Sequence, residues 1–259
     1  MNAYDRVQAA RAKGRQTALD YIRNIFTDFT EMHGDRRFAD DHAVVAGIAL
    51  LGDVPVTVVG IEKGHETAER VRRNFGSAHP EGYRKAIRQF HQAEKFHRPV
   101  ICFVDTSGAY CGIGAEERGQ SQAIAESMAT LAELRTPVIS IVIGEGGSGG
   151  AIALAVADEV WMLENSIYSV ISPEGAASII WKDAKRVKEA SNVLRLTAED
   201  LLELGVVERV ISETGGFDAV NAALKSQLAE SIAQYSAMSS DELLAHRYEK
   251  FRKIGGGQP

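Results

Sequence analysis

Apolar and polar residues alternate along the first third of the chain at helix and strand spacings. The helical spacing of apolar residues from 17 to 29 predicts an amphipathic helix, and the polar residues 1–16 before it predict a loosely held arm. Two β-rich runs, AVVAGIALL and VPVTVVGI, flank the turn residues Gly52 and Asp53. This pattern predicts a β-hairpin at the edge of a sheet.

The middle of the chain repeats one unit of helix and strand. Helical patterns occur in PEGYRKAIRQFHQAEKFHR and AEERGQSQAIAESMATLAEL, and each precedes a short apolar strand, PVICFVD or PVISIVI. A short helix, the strands EVWML and YSVIS, and a helix opened by Ser172-Pro173 follow. Helices that alternate with apolar strands predict an α/β protein with a mostly parallel sheet covered on both faces.

The last third is more polar and has no long linker. Beyond Trp181 it contains a short strand, VERVIS, and two helices that start near Asp218 and Asp241. We expect these helices to pack back onto the same body or onto a partner. The chain is therefore interpreted as an arm (1–16), one domain with C-terminal helices (17–254) and a flexible tail (255–259).

Composition restricts the class of protein. Hydrophobic residues make up 45% of the 259 residues and charged residues 25%, which is typical of a globular chain, and a net charge of -6 argues against nucleic acid as a partner. No apolar stretch is long enough to span a bilayer, so we predict a cytoplasmic protein without membrane contact. Cys102, Cys111 and the seven histidines show no metal-ligand spacing, and no metal is expected in this chain.

The stretch GEGGSGG, residues 144–150, lies between an apolar strand and a run of small residues. It matches the G-x-G-x-x-G spacing of dinucleotide-binding proteins, and Glu164 follows the next strand where a ribose contact would lie. The helix after the glycines is short for that fold, and the motif lies in the middle of the chain. An NAD-dependent oxidoreductase therefore remains an alternative function.

A second interpretation uses two loops instead of one. The segment DTSGAY, residues 105–110, ends one strand, and GEGGSGG ends the strand that follows it, so both loops should emerge at the same carboxyl edge of the sheet. Backbone N–H groups from such loops can converge on one oxygen and form an oxyanion hole. For any single glycine a tight turn is the simpler explanation. The dense run from Gly146 to Gly150 favours a function.

Four segments carry a family resemblance: RRNFGSAHPEGYRKA, DTSGAYCGIGAEERGQS, VIGEGGSGGA and YSVISPEGAASIIW. They are similar, nearly word for word, to the α subunit family of the bacterial acetyl-CoA carboxylase carboxyltransferase. The resemblance implies a crotonase-like fold of repeated ββα units. It also implies an α2β2 complex that moves a carboxyl group from carboxybiotin, held on the biotin carboxyl carrier protein, to acetyl-CoA. The product, malonyl-CoA, enters fatty-acid synthesis, and biotin carboxylase is a further partner.

The resemblance assigns roles to the glycine run. It places the oxyanion hole for biotin at Gly149 and Gly150, with Gly146 and Gly147 as the supporting turn. The β subunit would supply the matching hole for the acetyl-CoA thioester, together with a zinc site. Because each hole stabilises one of two developing negative charges, the reaction needs no protein nucleophile. A stand-alone crotonase-type acyl-CoA hydratase is the other alternative function.

The resemblance also places the loop of Gly108, Ala109 and Tyr110 near carboxybiotin. Ser107 and Cys111 stand where the family pattern has prolines, so the loop is expected to be less rigid. The N-terminal extension of many family members is shorter here, so the contacts that it makes in those members are not assigned to this chain.

Basic residues concentrate between residues 63 and 85. Arg72 and Arg73 are candidate contacts for an anionic substrate or an acidic carrier protein, and the alternative is a solvated helix face or a salt-bridge patch between subunits. Both interpretations stay open for the whole group, which consists of Lys63, Arg70, Arg72, Arg73, Arg84 and Lys85.

Three further side chains near the glycine loops, Cys111, Glu116 and Glu117, are of types that can act in catalysis. Cys111 has no histidine near it in sequence, which argues against a nucleophilic thiol. Glu116 and Glu117 begin a predicted helix, where acidic residues usually complement the helix dipole and seldom act as general bases.

Overall fold

The computed structural model describes residues 1–256. Its strands are β1 (Thr27–Glu31), β2 (Val44–Leu51), β3 (Val54–Ile61), β4 (Val100–Thr106), β5 (Val138–Gly147), β6 (Glu159–Leu163), β7 (Ile167–Ser169) and β8 (Arg209–Ile211). Its helices are α1 (Ala3–Ala10), α2 (Ala18–Ile25), α3 (Thr67–Arg72), α4 (Pro80–Lys95), α5 (Ile113–Glu117), α6 (Gln120–Glu133), α7 (Ser148–Ile152), α8 (Pro173–Trp181), α9 (Val187–Val193), α10 (Ala198–Glu203), α11 (Gly216–Ser236) and α12 (Ser240–Lys253).

The strands form one mixed sheet in the order β1-β2-β3-β4-β5-β6-β8, with β7 paired to the end of β5. The first three strands are antiparallel, and every later pair is parallel. The predicted hairpin is confirmed as β2 and β3, which turn at Gly52 with a φ of +59°. It is not the sheet edge, because β1 pairs with the outer side of β2.

Helices cover both faces of the sheet, as the strand patterns predict. Along β4, Cys102 belongs to the core under α4 and α6, whereas Phe103 belongs to the core under α2 and α11. Successive residues of a strand point to opposite faces, so a continuous apolar strand feeds two cores. The C-terminal helices pack back onto this same body, with α11 against α2 and α12 against α6.

Two predicted helix boundaries are wrong. The helix predicted over 17–29 ends at Ile25, and the chain continues as β1 with Phe29 inside the strand. Pairing with β2 overrides the helical spacing there, because Gly47 of β2 has no side chain and the Thr30 carbonyl comes close to it. The helix predicted from 115 to 134 is split into α5 and α6 at Gly119, whose φ is +82°.

The N-terminal arm is not loosely held, which corrects the sequence prediction. Helix α1 buries Val7 and Ala10 against the body, and Arg6 donates to Glu199 at 2.6 Å. Arg15 donates through Nε to the Ile143 carbonyl of β5 at 2.7 Å. The partners of these polar arm residues are distant in sequence. A prediction from local polarity does not include such partners, and it therefore gave a loosely held segment.

Within residues 1–256, no helix combines the length and apolar character needed to cross a membrane. The predicted flexible tail covers 255–259, and its residues 257–259 lie outside the described part of the chain.

Candidate active site

The first four residues of GEGGSGG continue strand β5, which corrects the prediction of a turn along the whole stretch. Gly146 and Gly147 pair with β7 beyond the point where β6 leaves the sheet, so the strand extends further than its apolar run. The turn falls at Ser148, which has a φ of +51° in the left-handed region. Ser148 is also the first residue of helix α7, and Gly149 and Gly150 follow it in the first turn.

The two glycine-containing loops meet at the carboxyl edge of β4 and β5, as predicted. Parallel pairing brings Thr106 of β4 opposite Gly146 of β5. A Cβ atom at Gly147 would overlap the Ser107 carbonyl, and one at Gly150 would lie 2.6 Å from the Ala109 nitrogen. These glycines are therefore required for close backbone approach, whereas a Cβ at Gly149 would make only an ordinary 3.4 Å contact with Ile124.

The amides of Gly149 and Gly150 lie in the first turn of α7. N–H groups in the first turn of a helix have no acceptor inside the helix, and they carry partial positive charge. Gly150 is buried and Gly149 is half-buried, so the pair lies at the boundary between the core and solvent. Such amides can stabilise a negative oxygen that approaches from the solvent side.

A mostly apolar cavity of about 380 Å³ opens beside Gly149. Ser148 and Gly149 form one wall, and the side chains of Ile152, Tyr168 and Leu201 contribute to the rest. The sequence analysis missed this cavity, because its walls come from α7, β7 and α10, which are distant in sequence. A cavity of this size with mostly apolar walls can accept a small ring system beside Gly149.

The loop of Gly108, Ala109 and Tyr110 is anchored in spite of the missing prolines. Thr106 Oγ1 accepts from the Gly108 amide at 3.0 Å and donates to the Gly108 carbonyl at 2.8 Å. The Tyr110 ring stacks on His79 with centroids 4.0 Å apart. Its amide donates to the Ala78 carbonyl at 3.0 Å, so the motif RRNFGSAHPEG supports this loop from below.

Glu164 has a structural position. Its carboxylate accepts from the Glu213 amide at 3.1 Å and from Ser212 Oγ at 3.1 Å, and it also contacts Arg6 at 3.4 Å. These contacts join the end of β6 to the turn after β8 and to the arm. The geometry therefore gives no support to Glu164 as a ribose contact of a dinucleotide.

The candidate nucleophile and the two candidate general bases lie at the surface. Cys111 is exposed with a free thiol, and Glu116 and Glu117 are exposed on the short helix α5. Within residues 1–256, no group of three or more His, Cys, Asp or Glu side chains is arranged to hold a metal ion.

Most basic side chains between residues 63 and 85 form ion pairs within the chain. Arg73 is buried and donates to Glu69 at 3.0 Å and to the His42 carbonyl at 2.8 Å, so its guanidinium does not face solvent. Arg72 is exposed and remains a candidate anion contact. The remaining internal pairs are Lys63 with Asp105, Arg84 with Asp35 and Glu81, and Lys85 with Asp40.

Tyr83 is a second feature that the sequence analysis missed. Its side chain is fully buried in α4, and its hydroxyl has no hydrogen-bond partner among the described residues. Burial raises the pKa of this hydroxyl, which stays neutral. The hydroxyl lies 3.1 Å from where a Cβ of Gly150 would be, so it packs directly under the glycine turn.

Replacing Tyr83 by Phe tests whether this hydroxyl is unpaired. A buried hydroxyl without a partner costs about 1–3 kcal/mol. We therefore expect Y83F to leave the free energy of unfolding unchanged or to raise it by about 1 kcal/mol, measured by urea denaturation. A loss of more than about 1 kcal/mol would mean that the hydroxyl has a partner in solution.

Comparison with known proteins gives a consistent family. The family model described as "Acetyl co-enzyme A carboxylase carboxyltransferase-like" matches residues 1–255. The acetyl-coenzyme A carboxylase carboxyl transferase subunit alpha of Ruminiclostridium cellulolyticum is 66% identical over 98% of both chains. In Natranaerobius thermophilus, a "subunits beta/alpha" protein is 54% identical over 98% of this chain and 43% of its own length.

Solved structures show the same fold at low sequence identity. A transcarboxylase 12S structure has a TM-score of 0.73 and 19% identity, covering 90% of this chain and 44% of its own. A Pseudomonas malonate decarboxylase hetero-tetramer gives a TM-score of 0.71 and 16% identity, covering 90% and 92% of the two chains. The crotonase-like α/β fold implied by the sequence resemblance is confirmed. On the strength of the match over residues 1–255 and the 66% identity to a full-length relative, this chain belongs to the acetyl-CoA carboxylase carboxyltransferase α-subunit family.

Proposed function

We propose that the chain is the α subunit of an acetyl-CoA carboxylase carboxyltransferase. It helps to transfer a carboxyl group from carboxybiotin, held on a carrier protein, to acetyl-CoA, and the malonyl-CoA formed serves fatty-acid synthesis in the cytoplasm. The observation that carries this proposal is the contact between the two glycine loops, in a chain that matches the family along nearly its whole length.

The residues of the site fit a biotin ring. The apolar cavity beside Gly149 has room for a small bicyclic group; Gly149 lies at its wall, and Gly150 follows it in the first turn of α7. Biotin would supply the carboxyl group and, after its release, the base that takes a proton from acetyl-CoA. The two amides would donate to the ureido oxygen, where negative charge develops in the transition state.

The loop of Gly108, Ala109 and Tyr110 would form the other side of this site. It contacts Gly150 directly, and the Tyr110 ring is partly exposed at 38%. Gly146 and Gly147 hold the strand end against this loop. The chain needs to position and stabilise, and it needs no nucleophile of its own.

One site of this kind stabilises only one of the two negative charges, so a partner has to supply the other. The fused β/α relative indicates that the two subunits work together. We propose a β subunit that carries the acetyl-CoA hole and a zinc site, assembled with this chain as an α2β2 complex. Exposed apolar residues support contact with another subunit: Val170, which lines the cavity, Ile179 of α8 and Val193 of α9. Biotin carboxylase and the carrier protein would complete the enzyme.

A mixing experiment tests the function. The purified chain, given free carboxybiotin and acetyl-CoA, should form no malonyl-CoA, and activity should appear when a β subunit of the family is added. The β subunit alone is the matched control. Malonyl-CoA formation by this chain alone, or no formation by the mixture, would contradict the proposal.

The two alternative functions are checked on the same preparation. Calorimetric titration with NAD should show no binding heat, because Glu164 is held by Glu213 and Ser212. The isolated chain should not hydrate an enoyl-CoA, since Glu116 and Glu117 lie exposed on α5. Activity in either assay would restore the corresponding alternative.

A further inference from the structure

Five charged side chains connect the segments that carry the glycine loops. Lys63, after β3, contacts Asp105 of β4 at 2.6 Å and Glu145 of β5 at 3.2 Å. Arg11 of the N-terminal arm contacts Glu145 at 2.7 Å and Glu174, in the first turn of α8, also at 2.7 Å. We call these five residues the ionic clamp.

The clamp is bonded to the backbone of the glycine run as well as to side chains. Asp105 Oδ1 accepts from the Glu145 amide at 2.8 Å, and it lies so close to Gly144 that any Cβ there would overlap it. Asp105 opens the loop DTSGAY, and Glu145 is the second residue of GEGGSGG. A displacement of the Asp105 carboxylate therefore moves both loops together.

The inner part of the clamp is shielded from solvent. The side chains of Lys63, Asp105 and Glu145 are 13%, 7% and 11% exposed. Burial opposes the charge on Lys63, but Asp105 and Glu145 outweigh it and raise the pKa of Lys63. Burial likewise opposes the charge on Glu145, and Lys63 and Arg11 hold its pKa below the usual range. Lys63 and Glu145 are therefore both charged at neutral pH.

The clamp lies apart from the apolar cavity at Gly149. Lys63, Asp105, Glu145 and Arg11 line a separate polar cavity of about 650 Å³ beneath the N-terminal arm. The residues that line this cavity and those that line the apolar cavity have no member in common. The clamp residues do not line the apolar cavity, so an effect on chemistry in that cavity would have to pass through the position of the loops.

We propose that Lys63 and Glu145 are positioning residues for carboxyl transfer, and that the ionic clamp sets the separation of the two glycine loops. The proposal rests on the proposed function. Without the Lys63 ammonium, two buried carboxylates that share one cation would repel each other, and the ends of β4 and β5 would separate. A shift of about 1 Å in such a site can lower a rate by about 100-fold.

The test compares two buried lysines of similar exposure in the complex with the β subunit. Lys63→Met removes the cation between Asp105 and Glu145. Lys250→Met removes a lysine of α12 whose side chain is 8% exposed and pairs with Glu208 at 2.7 Å. We expect K63M to lower kcat at least about tenfold, with KM for acetyl-CoA changed less than about threefold. K250M should keep kcat within about twofold, and Lys63→Arg should recover part of the loss.

Hydrogen exchange gives a readout that does not depend on activity. In the isolated chain, K63M should increase exchange at the amides of residues 144–150 at least about tenfold relative to K250M. If the wild-type complex forms no malonyl-CoA, the proposed function is wrong. The exchange result alone then tests whether the ionic clamp holds the two glycine loops in place.

Equal kcat in K63M and K250M, or equal exchange in the glycine run, would overturn the proposal. If K63M does not fold, Glu145→Gln replaces it, because the amide has the shape of the carboxylate and lacks its charge. E145Q should then lower kcat at least about tenfold, and an unchanged kcat would overturn the proposal in the same way.

Discussion

Replacing Gly150 by Ala should lower the turnover of the assembled carboxyltransferase by about 10²- to 10³-fold. A Cβ at this position would lie 2.6 Å from the Ala109 nitrogen and 2.8 Å from the Gly108 carbon, and both are backbone atoms that cannot turn aside. The methyl group must push the two loops apart, so the amide of Gly150 leaves its position. Val at this position should have at least the same effect.

Gly149→Ala is the comparison variant for this prediction. Its Cβ would meet only the end of the Ile124 side chain at 3.4 Å, and the variant keeps its N–H group. Because Gly149 also lines the cavity proposed for the ring, we expect G149A to lower turnover, but at least about tenfold less than G150A does. Glu164→Gln, which would disturb a dinucleotide contact, should leave turnover nearly unchanged.

Malonyl-CoA formation measures these effects, and size-exclusion chromatography of the complex shows whether the subunits still associate. A G150A complex that assembles with full turnover would contradict the oxyanion hole. Loss of turnover in E164Q with full turnover in G150A would favour the dinucleotide interpretation instead.

Replacing Arg247 by Met should lower the free energy of unfolding by about 3–5 kcal/mol. Arg247 is 1% exposed in α12 and pairs with the buried Asp158, at 2.9 Å through Nε and 2.7 Å through Nη2. It also donates to the carbonyls of Leu131, Leu134 and Thr136 at 2.6, 2.8 and 3.2 Å. Its removal leaves the buried Asp158 carboxylate without a cation and takes a donor from each of the three carbonyls.

Arg135→Met provides the comparison, because Arg135 pairs with Asp241 at 3.1 Å and both side chains are more than half exposed. We expect R135M to change the free energy of unfolding by less than about 1 kcal/mol. Urea denaturation of the isolated chain measures both variants. A cost below about 1 kcal/mol for R247M would show that the buried pair contributes little.

Most elements with strong periodicity could be predicted from the sequence. Helix α4, strand β4 and the β2–β3 hairpin lie where their patterns place them, because a local pattern and the burial it requires agree there. The convergence of DTSGAY and GEGGSGG was also predictable, since neighbouring parallel strands end at the same edge. The family of the chain was evident from four motifs, and the comparisons confirm it.

The predictions that were wrong concern parts of the chain whose structure depends on contacts between distant segments. Phe29 continues a helical spacing but belongs to β1. This strand pairs with β2, where Gly47 has no side chain and leaves room for the Phe29 ring. The N-terminal arm is polar and was predicted free, yet Arg6 and Arg11 find acidic partners more than 130 positions away. An ion pair of this kind leaves no periodic trace in a sequence, since either partner alone resembles an ordinary surface charge.

The same distinction, between local pattern and contacts of distant segments, applies to the candidate site. The sequence by itself determined which residues are glycine, which strands end in loops, and that both loops reach one edge, because these follow from local backbone freedom and from strand order. Only the tertiary structure decided that Gly150 tolerates no Cβ while Gly149 does, that Tyr83 lies beneath the turn, and that Lys63 joins two carboxylates. Packing distances and shared charges depend on where separate segments meet in space, and only the folded chain brings those segments together.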